Sequence, residues 1–224
     1  INNAWCSFYA SKGIAALAAD CRSGKGLKAF LPMLRKVLSD ELSRRESRGN
    51  VGKPIRMMVV GIPNVGKSSF INRMAGGKRT KVEDRPGVTR SQQWVKVNGG
   101  PGLNNLDLLD MPGVLWPKFE DPLVGEKLAF TGAIKDDIMD IELLAARLLE
   151  FLNENYRQMI CGRYRLEENE VTDLAGFDLL SLIGKKRGML ISGGEVNTER
   201  AAIMVLDEFR SGKIGRISLE APTA

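Results

Sequence analysis

Residues 61–68 carry the clearest chemistry in the chain. Gly61-Ile62-Pro63-Asn64-Val65-Gly66-Lys67-Ser68 fits the pattern G-x-x-x-x-G-K-[ST]. Glycines let a backbone wrap an anion, so that amide N–H groups and a helix N-terminus point at phosphate oxygens. Lys67 then supplies a point charge for the outer phosphates, and Ser68 a hydroxyl for magnesium. Pro63, Asn64, Val65, Gly66 and Ser69 complete the stretch expected to line the phosphates.

Two further clusters fit the same chemistry. Asp110-Met111-Pro112-Gly113 places an acid where the end of a buried strand would hold a magnesium-bound water. Gly113 would let its N–H approach the terminal phosphate closely. Between the two clusters lies Asp84-Arg85-Pro86-Gly87-Val88-Thr89-Arg90. Thr89 is a candidate second magnesium ligand on a loop that orders around a triphosphate, and the plain alternative is a surface turn. Asn64, Lys67 and Thr89 are the candidate catalytic side chains. Val114 follows Gly113, and an apolar side chain cannot position water. The chain has no histidine, which excludes Ser-His-Asp catalysis and most catalytic zinc sites. Cys6, Cys21 and Cys161 are scattered without metal-ligand spacing, as expected of reduced cytosolic thiols.

These residues need elements to position them. Met57-Met58-Val59-Val60 reads as a strand before the glycine loop, and Ser68–Met74 as the helix after it. Gln92–Val97 and Leu106–Leu109 read as a strand pair around the turn-rich 98–105. Upstream, residues 14–19 read as a short buried strand, Ser23–Gly26 as a turn, Leu27–Leu42 as a helix and 43–55 as a basic loop. The alternation predicts a parallel-dominated α/β sheet over a domain 1–124. Beyond it, Asp140 can cap a helix with an Ile141, Leu144, Ala145, Leu148 and Leu152 face. Helices over Asp173–Ile183 and Thr198–Phe209 follow. An all-α domain is therefore expected over 125–224.

Charge divides along the same line. Residues 1–124 hold 20 Lys/Arg against 10 Asp/Glu, whereas 125–224 hold 13 against 17. The positive half is compatible with a polyanionic partner. No apolar run reaches the ~18 residues of a membrane span. A monomer in the cytoplasm without membrane contact is expected.

In motif order, the chain resembles the circularly permuted GTPases of the YlqF family, bacterial ribosome-assembly factors. The resemblance runs through Gly61–Ser68, Asp84–Gly87 with Thr89, Ser91-Gln-Gln-Trp94 and Asp110–Gly113. It continues through Trp116-Pro-Lys-Phe-Glu120, Thr131-Gly-Ala-Ile-Lys135, Lys186-Arg-Gly188, Ser192-Gly-Gly194 and Gly215-Arg216. It implies a P-loop NTPase sheet with permuted motif order, GTP and Mg2+ as ligands, and the large ribosomal subunit precursor as partner. It also implies guanine contacts from the backbone of Asp20-Cys21-Arg22-Ser23, with Cys21 where Ser is more usual. The guanine-reading Asn-Lys-x-Asp occurs nowhere in the 224 residues, and the family places it upstream of Ile1. The Ile1 start without Met leads to the expectation that this segment precedes the sequence given. An Asn at the Asn64 position implies K+ beside the phosphates, and the plain alternative is a loop-stabilising role.

For the helical half, the resemblance implies RNA contacts from Lys185, Lys186, Arg187, Arg210, Lys213 and Arg216. The plain alternative is cations placed at helix C-termini by the macrodipole. The basic stretch Arg44-Arg45-Glu46-Ser47-Arg48 either faces RNA or is solvated. The expected function is a slow GTPase acting on the maturing large subunit, its loop 81–93 ordered by the nucleotide. The rivals are a metabolic P-loop kinase, which would need an acid/base group and a lid, and a non-hydrolysing scaffold.

Overall fold

The computed structural model describes residues 1–50, 52–77, 92–100, 103, 105–115 and 119–222. The chain forms two compact units, Ile1–Leu115 with Glu220–Ala224, and Trp116–Leu219. The expected boundary at 124/125 would have cut a helix. The loop Asp84–Arg90, with Thr89, lies outside the described residues.

The first unit contains α1 (Asn2–Ser11), α2 (Phe30–Val37), α3 (Ser39–Ser47), β1 (Ile55–Val59), α4 (Lys67–Met74), β2 (Gln93–Asn98) and β3 (Asn105–Asp110). The described strands lie in the order β1-β3-β2, with β1 parallel and β2 antiparallel to β3. This is a mixed sheet rather than the parallel-dominated one expected. So few residues separate β2 from β3 that the chain can only return antiparallel. Ile55, Val95, Val97, Leu106 and Leu108 are buried with Leu34 and Ile71. On β3 the buried positions alternate Leu106, Leu108, Asp110. A row of leucines therefore ends in a fully buried carboxyl at the strand's exit.

Three upstream readings change. Residues 14–19 form no strand, and Ile14 is exposed. A strand needs a hydrogen-bonded neighbour, and this alanine-rich stretch finds none among the described residues. The helix expected over Leu27–Leu42 begins as a 3-10 turn, Leu27–Ala29, and is interrupted at Leu38. The expected loop 43–55 is helical up to Ser47. There Glu41 and Arg45 pair one turn apart at 2.9 Å, an arrangement that supports helix where polar composition reads as loop.

The second unit contains α5 (Pro122–Phe130), α6 (Ile141–Asn155), α7 (Arg157–Tyr164), α8 (Glu168–Val171), α9 (Gly176–Lys186) and α10 (Thr198–Arg210). Among its described residues, β pairing is limited to one isolated bridge, Leu190–Val196. Asp140 caps α6 as expected, its Oδ1 accepting from the Leu143 N–H at 2.9 Å. The α6 face, extended by Leu149, packs on Leu179, Leu180 and Ile183 of α9 and on Ala202, Val205 and Leu206 of α10. Glu208 of α10 accepts a two-pronged hydrogen bond from Arg163 of α7, which holds its carboxyl below the usual range.

Candidate nucleotide site

Because β1 runs parallel to β3, their carboxyl ends emerge on the same side of the sheet, Val59 beside Asp110. The loops that follow both strands therefore converge, as ligand-binding loops of open α/β sheets do. The first loop is contorted: Asn64 sits at φ 60° and Gly66 at φ 93°. Asn is among the few side-chain-bearing residues that tolerate this region. Gly66 starts α4 without a side-chain cap, so the helix N-terminus has no side-chain acceptor of its own, an end that suits an anion. Lys67 Nζ donates to the carbonyls of Gly61 (3.0 Å) and Ile62 (2.7 Å). Partial burial lowers the lysine's pKa, and Asp110 opposes the shift. Pro63 and Val65 belong to the loop, and Ser69 to the first turn of α4.

Ser68 Oγ donates to Asp110 Oδ2 at 3.1 Å across 42 residues of chain. The other carboxylate oxygen, Oδ1, is buried with no partner among the described residues. An orphaned buried carboxylate oxygen beside a serine hydroxyl is a hard-oxygen donor pair of the kind a magnesium hydration shell uses. Burial pushes Asp110 above the usual carboxylate range, against the pull of the Ser68 hydroxyl and the Lys67 ammonium. Gly113 lies against the phosphate loop: a Cβ there would come within 2.6 Å of Pro63 N. Val114 is 70% exposed. No cluster of three or more His, Cys, Asp or Glu among the described residues could hold a metal alone.

The Asp20–Ser23 loop is held by its own first residue. Asp20 Oδ1 accepts from the Arg22 N–H (2.8 Å), and Oδ2 from the Ser23 hydroxyl (2.6 Å). These bonds, the hydroxyl's foremost, hold the carboxyl below the usual range. Burial, with Asp20 adding, raises the Cys21 thiol. Both Asp20 oxygens are occupied in shaping the turn. Sequence reasoning missed Arg73. From α4 it donates to the Arg22 carbonyl at 3.3 Å, and its guanidinium lies against Gly24. Being an arginine on the helix that follows the glycine loop was its only signal.

The six cations of the helical unit divide. Arg210 lies between α10 and the end of α5. It donates to the Ala129 and Phe130 carbonyls (2.9 and 3.1 Å) and pairs two-pronged with Asp136 (2.7 and 2.8 Å). Arg187 donates to the Arg163 carbonyl, packs on the Tyr164 ring and lies 3.9 Å from Glu208. Lys186 pairs with Glu170 at 3.3 Å. Lys185, Lys213 and Arg216 are exposed, with no ion pair among the described residues.

Residues 56–174 match the family model described as 50S ribosome-binding GTPase. "Ribosome biogenesis GTPase A" of Priestia megaterium is 45% identical over 225 residues, spanning 100% of this chain and 75% of that protein. Its Bacillus licheniformis counterpart is 44% identical over 99% of this chain and 76% of its own length. The chain belongs to the ribosome biogenesis GTPase A family. It is a GTPase of that family, built on the α/β P-loop GTPase fold. The GDP-bound structure of TM YlqF overlays with a TM-score of 0.65 at 23% identity, over 98% of this chain and 76% of that one. The GNP-bound YlqF from T. maritima overlays at 0.60 and 21%, over 98% and 74%. At these identities the overlays bear on fold alone. No described helix is long and apolar enough to cross a membrane.

Proposed function

We propose that this GTPase is a slow switch that binds the maturing large ribosomal subunit, its motifs in circularly permuted order and its helical unit contacting ribosomal RNA. The observation that carries the nucleotide chemistry is the meeting of Ser68 and Asp110, with Asp110 Oδ1 left unpartnered beside the phosphate loop. The loop amides and Lys67 bind the phosphates. Ser68 and Asp110 would hold Mg2+, directly or through water, and the ion would supply charge neutralisation to the phosphates. Gly113 presents its N–H toward the terminal phosphate. Val114 orients no water, so hydrolysis is slow until a partner or cation assists.

Permutation is supported by the Arg73 link, which ties a loop upstream of the phosphate motif to the phosphate helix. Ribosomal partnership is supported by the family model's description and the relatives' names. RNA contact falls to Lys185, Lys213 and Arg216, because Lys186, Arg187 and Arg210 are engaged within the unit. The test is GTP turnover by the whole chain with and without immature large-subunit particles. Stimulation of tenfold or more is expected. A rate that particles leave unchanged rejects the switch reading, and no turnover in either case favours the scaffold.

Asn64 is proposed to hold K+, which would supply positive charge beside the phosphates as an arginine finger does. Turnover should be faster in potassium than in sodium at equal ionic strength, and Asn64→Ala should erase the difference. Equal rates in the two salts reject the potassium role and leave Asn64 a part in shaping the loop, where it takes a left-handed turn.

A further inference from the structure

We propose that the basic cleft at the carboxyl end of α3, on the nucleotide-binding unit, is a second RNA contact that grips the phosphodiester backbone. The proposal rests on the ribosomal reading above and adds a surface to it. The cleft has a volume of about 290 Å3 and is lined by Glu41, Arg44, Arg45, Arg48 and Lys53, among others. Its one acid is consumed internally, because Glu41 Oε1 accepts from Arg45 Nε at 2.9 Å. Arg44 and Arg48 add to the pull that lowers the Glu41 carboxyl, behind the Arg45 hydrogen bond, which places both guanidinium groups within electrostatic reach of the cleft. Three exposed cations, Arg44, Arg48 and Lys53, are left facing one concavity.

A helix C-terminus gathers cations without any ligand, through the partial negative charge of its free carbonyls. Here the chain caps its own helix end. Gly49, at φ 68°, donates its N–H to the Glu46 carbonyl at 3.0 Å, and Asn50 donates to the Arg45 carbonyl at 2.9 Å. The last-turn carbonyls are thus partly satisfied by backbone. Lys53 lies beyond the helix and owes its position to the chain's return toward β1. The lining has no aromatic or large aliphatic anchor of the kind that dominates protein–protein interfaces. Three exposed cations around a small concavity with one acid complement a run of phosphates instead, and planar guanidinium forks match phosphate oxygens.

The test is co-sedimentation of the whole chain with immature large-subunit particles across a salt series, with a non-hydrolysable GTP analogue bound. Arg44→Ala/Arg48→Ala/Lys53→Ala should bind at least tenfold more weakly near physiological salt. The plot of log affinity against log salt should flatten by roughly two to three units, since each lost phosphate contact removes about 0.7–0.9. Melting temperature and GTP affinity should match wild type. Arg44→Lys/Arg48→Lys, which keeps the charges, should retain most of the slope. Wild-type binding by the alanine variant at every salt overturns the cleft and leaves the ribosomal reading standing. Weaker binding with an unchanged slope also overturns it, because the contact would then be to protein rather than to phosphate. If wild type binds with no salt dependence the cleft falls alone, and if it does not bind the particles at all the cleft and the ribosomal reading fall together.

Discussion

Lys67→Ala should lower affinity for the GTP·Mg2+ complex by about 3 kcal/mol or more, roughly a hundredfold or greater. That is the scale of one or two charge-assisted hydrogen bonds lost to phosphate. Ser68→Ala should lose a comparable amount, but only while magnesium is present. With the metal chelated, wild type and Ser68→Ala should converge, as the proposed magnesium role of the hydroxyl requires. The serine substitution also strips the Asp110 carboxyl of its one hydrogen bond among the described residues, leaving it buried with neither oxygen engaged. Binding to the native state alone adds stability, about 2.7 kcal/mol at a ligand concentration one hundred times Kd. Wild type should therefore melt higher with GTP and magnesium, and Lys67→Ala should not. The checks are a nucleotide titration and paired melts with and without ligand. An unchanged Kd in both variants would remove residues 61–68 from the nucleotide site.

The second large effect is expected at Arg210, and in stability rather than in RNA affinity. Its guanidinium makes four hydrogen bonds, two to Asp136 and two to backbone carbonyls at the end of α5, with the side chain only 20% exposed. Arg210→Ala leaves the Ala129 and Phe130 carbonyls and the Asp136 carboxylate without that partner. Charge-assisted bonds contribute about 1.5–3 kcal/mol each but do not add independently, so a loss of about 3 kcal/mol is expected. In a unit of this size that lowers the melting temperature by roughly 15 °C. Arg210→Lys should recover little, because an ammonium cannot span Asp136 and two carbonyls at once. Lys213→Ala/Arg216→Ala should melt like wild type and bind large-subunit particles more weakly. The opposite pattern, an unshifted melt for Arg210→Ala with lost particle binding, would make Arg210 the RNA contact.

Arg210 also marks where sequence reading stops. Its type and its place at a helix end fit RNA contact and dipole decoration equally. Its actual use depends on a helix end 80 residues earlier in the chain. Long-range polar partnerships have no periodic signature, so no pattern in the sequence announces them. The same holds for Arg73, whose acceptor lies 51 residues upstream. The strand expected at 14–19 failed for a related reason. Strand formation is settled by a neighbour's hydrogen bonds, whereas a helix satisfies its backbone within its own segment.

What the sequence determined by itself was local. A strand, a glycine-spaced loop and a helix follow from residues 57–74, because a left-handed turn and an uncapped helix N-terminus need only neighbouring residues. The Asp140 cap and the apolar stripe on α6 are legible for the same reason, being fixed within four residues and by a 3.6-residue period. Tertiary structure alone decided that β1 and β3 lie parallel and adjacent. That pairing brings Ser68 to Asp110, lays Gly113 on Pro63 and leaves Asp110 Oδ1 buried without a partner among the described residues. It also decided which of six similar cations are engaged within the helical unit, because an ion pair forms where packed helices bring opposite charges together and not where the chain lists them.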